Sequence, residues 1–240
     1  MRPDTATLKR FYETPLGDFT ADALAKVVAE SDWADRPGGL VTLGYAIPIL
    51  KKLGGPRSAF ALMPARQGAE VWPKGASSLS ALVEETSLPL ADASVANMLL
   101  VHTLEFASNP SRLMREVWRV LEPEGRAVFL VPNRRRMWSS LELTPFGHGT
   151  PWSWRQLEAL MIERMLQPVG CHTTLFFPPI KTGPGLIGSI TRATAKSCER
   201  PFLKLLPASG GLLVVEVKKK VVTGLTKSSQ ETAMNQATVR

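Results

Sequence analysis

Few side chains in this sequence are spaced to do chemistry, and His102 stands first among them. It directly follows an apolar run, Asn97 to Val101, and an imidazole there can serve as an acid or base near neutral pH, or simply shape a pocket wall. Glu84 offers a carboxylate four residues before Leu88-Pro89, either as a hydrogen-bond acceptor for a ligand amine or as a solvated charge at an element's end. His148 sits between Gly147 and Gly149, with Pro145 and Pro151 outside them. That setting suits a lid over a substrate or a plain bridging turn. Arg134-Arg135-Arg136 closes a second apolar run, and Trp138 lies beside it. With Trp152 and Trp154, Trp138 would line an apolar acceptor pocket or pack into the core. Missing are a zinc-binding H-E-x-x-H, paired cysteines and a phosphate-cradling G-x-x-x-x-G-K. Hydrolase, zinc and nucleotidase chemistries therefore have no support.

The elements around these residues read as alternating strands and helices. Asn97 to Val101 is short enough for a strand buried on both faces. Asn109 and Pro110 suit the N-cap and first turn of a helix, whose inner face carries Leu113, Val117, Val120 and Leu121. Gly125 is expected to stop that helix before a strand from Ala127 to Val131. This β-α-β unit calls for a parallel sheet with a right-handed crossover. Upstream, Leu8 to Gly17 reads as an extended lead-in, with Phe11, Tyr12 and Phe19 lying over a pocket or packing the first helix. A helix capped by Thr20 should bury Leu24, Val27 and Val28. Strands are expected at Leu40 to Tyr45, at Ser58 to Met63 and, briefly, at Val71-Trp72, with a helix from about Leu79. Downstream, Ser153 and Gln156 have the spacing of a capping box, and Gly170 should end that helix. Strands then follow at Cys171 to Phe177 and Leu212 to Val217, around a basic helix from Ile187 to Cys198.

The phrases L-P-L-A-D-A-S-V-A, H-T-L-E, R-E-V-W-R-V-L-E-P-E-G-R and V-P-N resemble the class I S-adenosylmethionine-dependent methyltransferases, in their type 11-like branch. The resemblance covers roughly residues 36 to 135, and its cofactor motifs are degenerate. It implies a Rossmann-like α/β fold with a seven-stranded, mostly parallel sheet, an antiparallel last strand and helices on both faces. It also implies S-adenosyl-L-methionine as cofactor, with methyl transfer to a small-molecule or lipid-like acceptor. Carried over position by position, Thr42 stands where the family has an acid. Gly44, Tyr45 and Ala46 form the first turn, with Pro48 where a third glycine is usual. Met63 and Pro64 stand where a ribose-binding acid is expected, and Glu84 and Leu88 border adenine. Val101 and His102 line the pocket floor. On the acceptor side stand Arg134, Trp138 and His148. Direct displacement asks for alignment rather than covalent help from side chains, which suits a chain with no nucleophile-base pair. The degenerate acids leave an alternative: an inactive binding or scaffold protein of the same fold, with RNA or the ribosome as its candidate partner.

Composition sets the outer limits. At 240 residues, 44% hydrophobic and 21% charged, the chain suits one large domain over 36–222, an N-terminal segment over 1–35 and a disordered tail over 223–240. Two cysteines without metal or redox spacing exclude a disulfide scaffold and make the cytoplasm the expected compartment. Nothing approaches the length of a membrane span. The net charge of +8 admits nucleic acid as partner, but the aromatics near Arg134 are not interleaved as a base-stacking platform, so nucleic acid is not favoured. The acceptor and the oligomeric state are not written in the chain.

Overall fold

The structure is a computed structural model that describes residues 2–31, 38–54, 59–134, 144–175 and 210–220. Arg135, Arg136, Trp138, Cys198, the expected basic helix and the expected tail lie outside the described residues. One sheet of seven strands organises the chain: β1 Leu40–Gly44, β2 Ala59–Pro64, β3 Ser80–Val83, β4 Val95–Val101, β5 Leu121–Pro132, β6 Leu166–Thr174 and β7 Leu212–Lys219. Their order is β3-β2-β1-β4-β5-β7-β6. Neighbours from β3 to β5 are parallel, while β7 runs against both β5 and β6. The expected fold class, including the reversed last strand, is borne out.

Five helices flank the sheet among the described residues: α1 Thr5–Tyr12, α2 Pro15–Ala29, α3 Ile47–Lys52, α4 Pro110–Val120 and α5 Trp154–Glu163. One face of β1, β4 and β5 packs Leu43, Met98, Leu100 and Phe129 against Leu113 and Val117 of α4 and Leu157 and Met161 of α5. On the other face, Leu99, Val101, Val128 and Leu130 meet Leu24, Val27 and Val28 of α2. Strand β4 is buried at every position, as its unbroken apolar run requires. None of the helices is long and apolar enough to cross a membrane among the described residues.

Local signals explain most boundaries. Asn109 caps α4 by accepting from the Arg112 amide at 3.0 Å, and both halves of the Ser153–Gln156 capping box form at α5. Five expectations fail, the first being the Thr20 cap, since Thr20 lies inside α2 and donates to the Leu16 carbonyl at 2.8 Å. The lead-in is helical, because Asp4 caps α1 and Thr14 caps α2 with Pro15 at its first turn. An X-Pro step thus opens a helix rather than extending the chain. The third strand is Ser80–Val83, where a helix was expected, and pairs with β2 from the sheet edge. Gly125 lies inside β5, since α4 gives way to the strand at Leu121 without an intervening turn. Helix α5 ends at Glu163 and β6 begins at Leu166, so Gly170 is a strand residue. Near the end of β7, the run Lys218-Lys219-Lys220 is not all exposed. Lys219 is buried and donates to the Leu121 carbonyl at 2.7 Å, below the end of α4, with burial lowering its pKa.

Helix α4 also braces the loop after β3. Glu116 accepts from the Leu88 amide at 2.9 Å, and Arg119 donates to the Leu88 and Leu90 carbonyls at 3.0 and 2.8 Å. Hydrogen bonds from Arg119, and then that of the Leu88 amide, hold the Glu116 carboxyl below its ordinary pKa against the opposing effect of burial. A carboxylate depressed in this way stabilises the fold above the ordinary carboxylate range, about pH 4.3, and the contribution is lost as pH falls through the lower folded value. In urea titrations, Glu116→Gln should therefore lose less stability than wild type between about pH 6 and about pH 3. Equal losses would show that this brace does not titrate. In the core, Phe129→Ala should cost about 3–5 kcal/mol in the same assay, since its side chain is fully buried between β4 and α4. A cost below about 1 kcal/mol would contradict that packing.

Candidate active site at the carboxyl edge of β1 and β4

From β1 the chain winds outward through β2 to β3 and then crosses back to β4 on the other side of β1, so the winding reverses between β1 and β4. Such a switch point opens a crevice at the carboxyl ends of the strands, where open α/β sheets bind ligands. Gly44 and Val101 are register partners at that edge. Gly44 has φ +92°, and a Cβ there would lie 1.9 Å from the Val101 carbonyl oxygen and 2.3 Å from Thr103 Oγ1. The turn after β1 is therefore restricted to glycine by both conformation and space. His102, one residue beyond Val101, has φ +53° and is completely buried. Positive φ in a non-glycine residue costs on the order of 1–3 kcal/mol, and such strain gathers at functional sites.

Helix α1 crosses this edge and is tied to it at several points. Arg2 pairs with Glu85 at 2.5 Å. Thr5 donates to the Gln67 and Gly68 carbonyls at 3.0 and 2.7 Å. Lys9 pairs with Glu70 at 3.1 Å, and the Tyr45 hydroxyl donates to the same carboxylate at 2.7 Å. The Tyr12 hydroxyl lies 2.9 Å from His102 Nε2. Gly17 permits the tight corner between α1 and α2, since a Cβ there would sit 2.0 Å from the Phe11 carbonyl oxygen. Aromatic rings close the space: Tyr12 meets His102 edge-on with centroids 5.8 Å apart, and the Phe146 and His102 centroids are 4.5 Å apart. Burial, and then the nearby Glu105 charge, raise the pKa of the Tyr12 hydroxyl well above its ordinary value.

Several buried polar atoms at this edge have no hydrogen-bond partner among the described residues. They are Arg2 Nε, Gln67 Oε1, His102 Nδ1 and both Glu105 carboxylate oxygens. Gln67 uses its Nε2 on the His102 carbonyl at 3.1 Å, which leaves its oxygen free. Buried groups of this kind are uncommon, and each calls for an explanation.

Of the residues singled out in sequence, Thr42, Tyr45, Ala46, Met63, Val101 and His102 are all within 2% of full burial and gather with Gly44 and Pro64 at the ends of β1, β2 and β4. The Thr42 hydroxyl points across the sheet to the Phe60 carbonyl at 3.4 Å, and Met63 Sδ accepts from the Glu70 amide at 3.3 Å. Leu88 is buried in the braced loop. Glu84 is exposed and accepts from Thr86 at 3.2 Å, while Glu85 is the carboxylate turned inward. His148 is half-buried in a turn whose Thr150 amide donates to the Glu105 carbonyl at 2.7 Å. Arg134 is exposed, its amide bonded to the Trp152 carbonyl at 3.0 Å, and Trp152 and Trp154 pack on the core. Arg2, Gln67, Glu85 and Glu105 were missed in sequence. Only Glu105 carried a signal, being three residues after His102 within H-T-L-E.

Comparison with known proteins agrees with this architecture. A family model described as "Methyltransferase domain" matches residues 60–129. No curated protein matches the sequence. Among solved structures, the fold is similar to a Thermotoga maritima S-adenosylmethionine-dependent methyltransferase described as a possible histamine N-methyltransferase. That match has 18% identity, a TM-score of 0.63, and covers 88% of this chain and 94% of the other. The fold is also similar to geranyl diphosphate C-methyltransferase from Streptomyces coelicolor, solved with Mg2+, geranyl diphosphate and S-adenosyl-L-homocysteine (17% identity, TM-score 0.51, 82% of this chain and 79% of that one). A third match is the [4+2]-cyclase SpnF, at 17% identity and a TM-score of 0.51, covering 84% and 82% of the two chains. Residues 60–129 thus match a methyltransferase-domain family model, and the fold of the chain is similar to that of S-adenosylmethionine-dependent methyltransferases.

Proposed function

We propose that the chain binds S-adenosyl-L-methionine at the carboxyl edge of β1 and β4 and promotes methyl transfer to a small-molecule or lipid-like acceptor. One observation carries the reading: the unpartnered buried polar atoms at that edge, around a glycine-only turn, on a fold shared with methyltransferases. Free acceptors on Gln67 and Glu105 and a free donor on Arg2 fit a ligand with hydroxyl, ammonium and carboxylate groups.

Bound there, S-adenosyl-L-methionine supplies an electrophilic methyl group on a positively charged sulfur. In this reading Gly44, Tyr45 and Ala46 hold the backbone turn beside the methionine part, with Thr42 beneath it. Met63 and Pro64 border the ribose side, Glu84 and Leu88 the adenine side, and Val101 and His102 the floor. Tyr12 and Phe146, packed against His102, exclude water, and alignment of the acceptor does most of the catalytic work. His148, Arg134 and Trp138 are the residues proposed for the acceptor side.

A second reading, a binding or scaffold protein that keeps the fold without the chemistry, has one observation in its favour. Thr42 and Met63 stand where acids are expected; both are fully buried, and the Thr42 hydroxyl is taken by Phe60. Calorimetric titration with S-adenosyl-L-methionine and S-adenosyl-L-homocysteine separates the readings. Heat and a raised melting temperature are expected for both ligands, with weaker binding in Glu84→Ala. No heat and no thermal shift at about 1 mM ligand, an affinity of only about −4 kcal/mol, would reject methyl transfer. Unchanged affinity in Glu84→Ala would remove Glu84 from the site.

A further inference from the structure

Most of the charge at the carboxyl edge is internally balanced. Glu85 has Arg2, and Glu70 has Lys9 and the Tyr45 hydroxyl. Glu105 differs. Its side chain is wholly buried, and its nearest charged or titratable neighbour is His102, whose Nδ1 lies 3.5 Å from Oε1. Neither that nitrogen nor either carboxylate oxygen completes a hydrogen bond among the described residues. His102 Nε2 is already engaged by Tyr12. An ionised carboxylate withdrawn from water without donors is expensive, so this position calls for a cation or for donors that the free chain does not provide.

Its placement says which cation. Glu105 sits in the 3-10 turn Leu104–Phe106 immediately after β4. Thr103, at the start of that turn, donates to the Leu43 carbonyl at 2.8 Å, which fastens the turn to the end of β1 beside Gly44. The β1 position expected to hold an acid carries Thr42 instead. We propose that Glu105 is the acidic counterpart of the positively charged methionine end of S-adenosyl-L-methionine, replacing the acid that β1 lacks at Thr42. The inference rests on the cofactor reading above. Glu105 supplies from the turn after β4 the charge that Thr42 does not. The ligand's positive groups are its α-ammonium and its sulfonium, and either can meet the carboxylate.

Three ligands distinguish them: S-adenosyl-L-methionine with both cations, S-adenosyl-L-homocysteine with the ammonium alone, and sinefungin, which carries an amine in place of the sulfonium. Each is titrated calorimetrically into wild type and Glu105→Gln, and both proteins are melted without ligand. Glu105→Gln is expected to bind S-adenosyl-L-methionine at least about tenfold more weakly, while melting at or above the wild-type temperature because a buried carboxylate without a completed hydrogen bond is gone. Equal loss for all three ligands assigns the ammonium; loss confined to S-adenosyl-L-methionine and sinefungin assigns the sulfonium. Wild-type affinity for all three overturns this role while leaving the cofactor reading intact. A lower melting temperature for the ligand-free variant also overturns it, since the carboxylate would then be stabilising the free fold through His102. If wild type itself binds none of the ligands, the cofactor reading and this inference fail together.

Discussion

Strand β4 is enclosed on both faces from Val95 to Val101, and the candidate site begins where that enclosure ends. A strand in such surroundings has no room for polar side chains that lack partners. His102 and Glu105 nevertheless follow it directly and remain buried. Helix α1 keeps water from them and satisfies one side of the imidazole through Tyr12. The position of α1 is in turn set by polar ties to the segments after β2 and β3. The end of β4 thus fixes where a ligand can sit, which residues can touch it, and why α1 lies across the opening.

Two kinds of stability meet at this edge. The sheet interior is apolar and close-packed, with Leu99, Val101, Val128 and Leu130 against α2. At the edge, strain at His102 and an unpartnered carboxylate at Glu105 work against the folded state. Such costs persist where the surrounding structure over-determines them, and they concentrate at ligand sites. The brace from α4 to the Leu88 loop is the opposite case: every polar group in it has a partner, and it behaves as scaffold.

Much of the fold was legible in the residues. The run from Asn97 to Val101, the Asn109 cap with Pro110, and the Ser153–Gln156 box each bear one strong local signal, and each forms as expected. Ser80–Val83 was not legible, because four residues at a sheet edge carry too little periodicity. Helix α1 was not legible because its one start signal is the Asp4 cap, and the Thr14-Pro15 step within the expected lead-in opens α2 instead. The site was only partly readable. Gly44 and His102 could be found from their place at strand ends. Arg2, Gln67 and Glu85 could not, since their meeting depends on how α1 lies over the sheet. Glu105 was visible as a letter in H-T-L-E, but its isolation from any donor is a fact of packing.

The central claim is that the carboxyl edge of β1 and β4, beneath α1, is where the cofactor binds. Hydrogen exchange with and without S-adenosyl-L-methionine tests it most directly, because it reports on each backbone segment separately. Slowed exchange at residues 44–47 and 102–106 on adding the ligand is the predicted result. Slowing confined to other segments, with 44–47 and 102–106 unchanged, would contradict it.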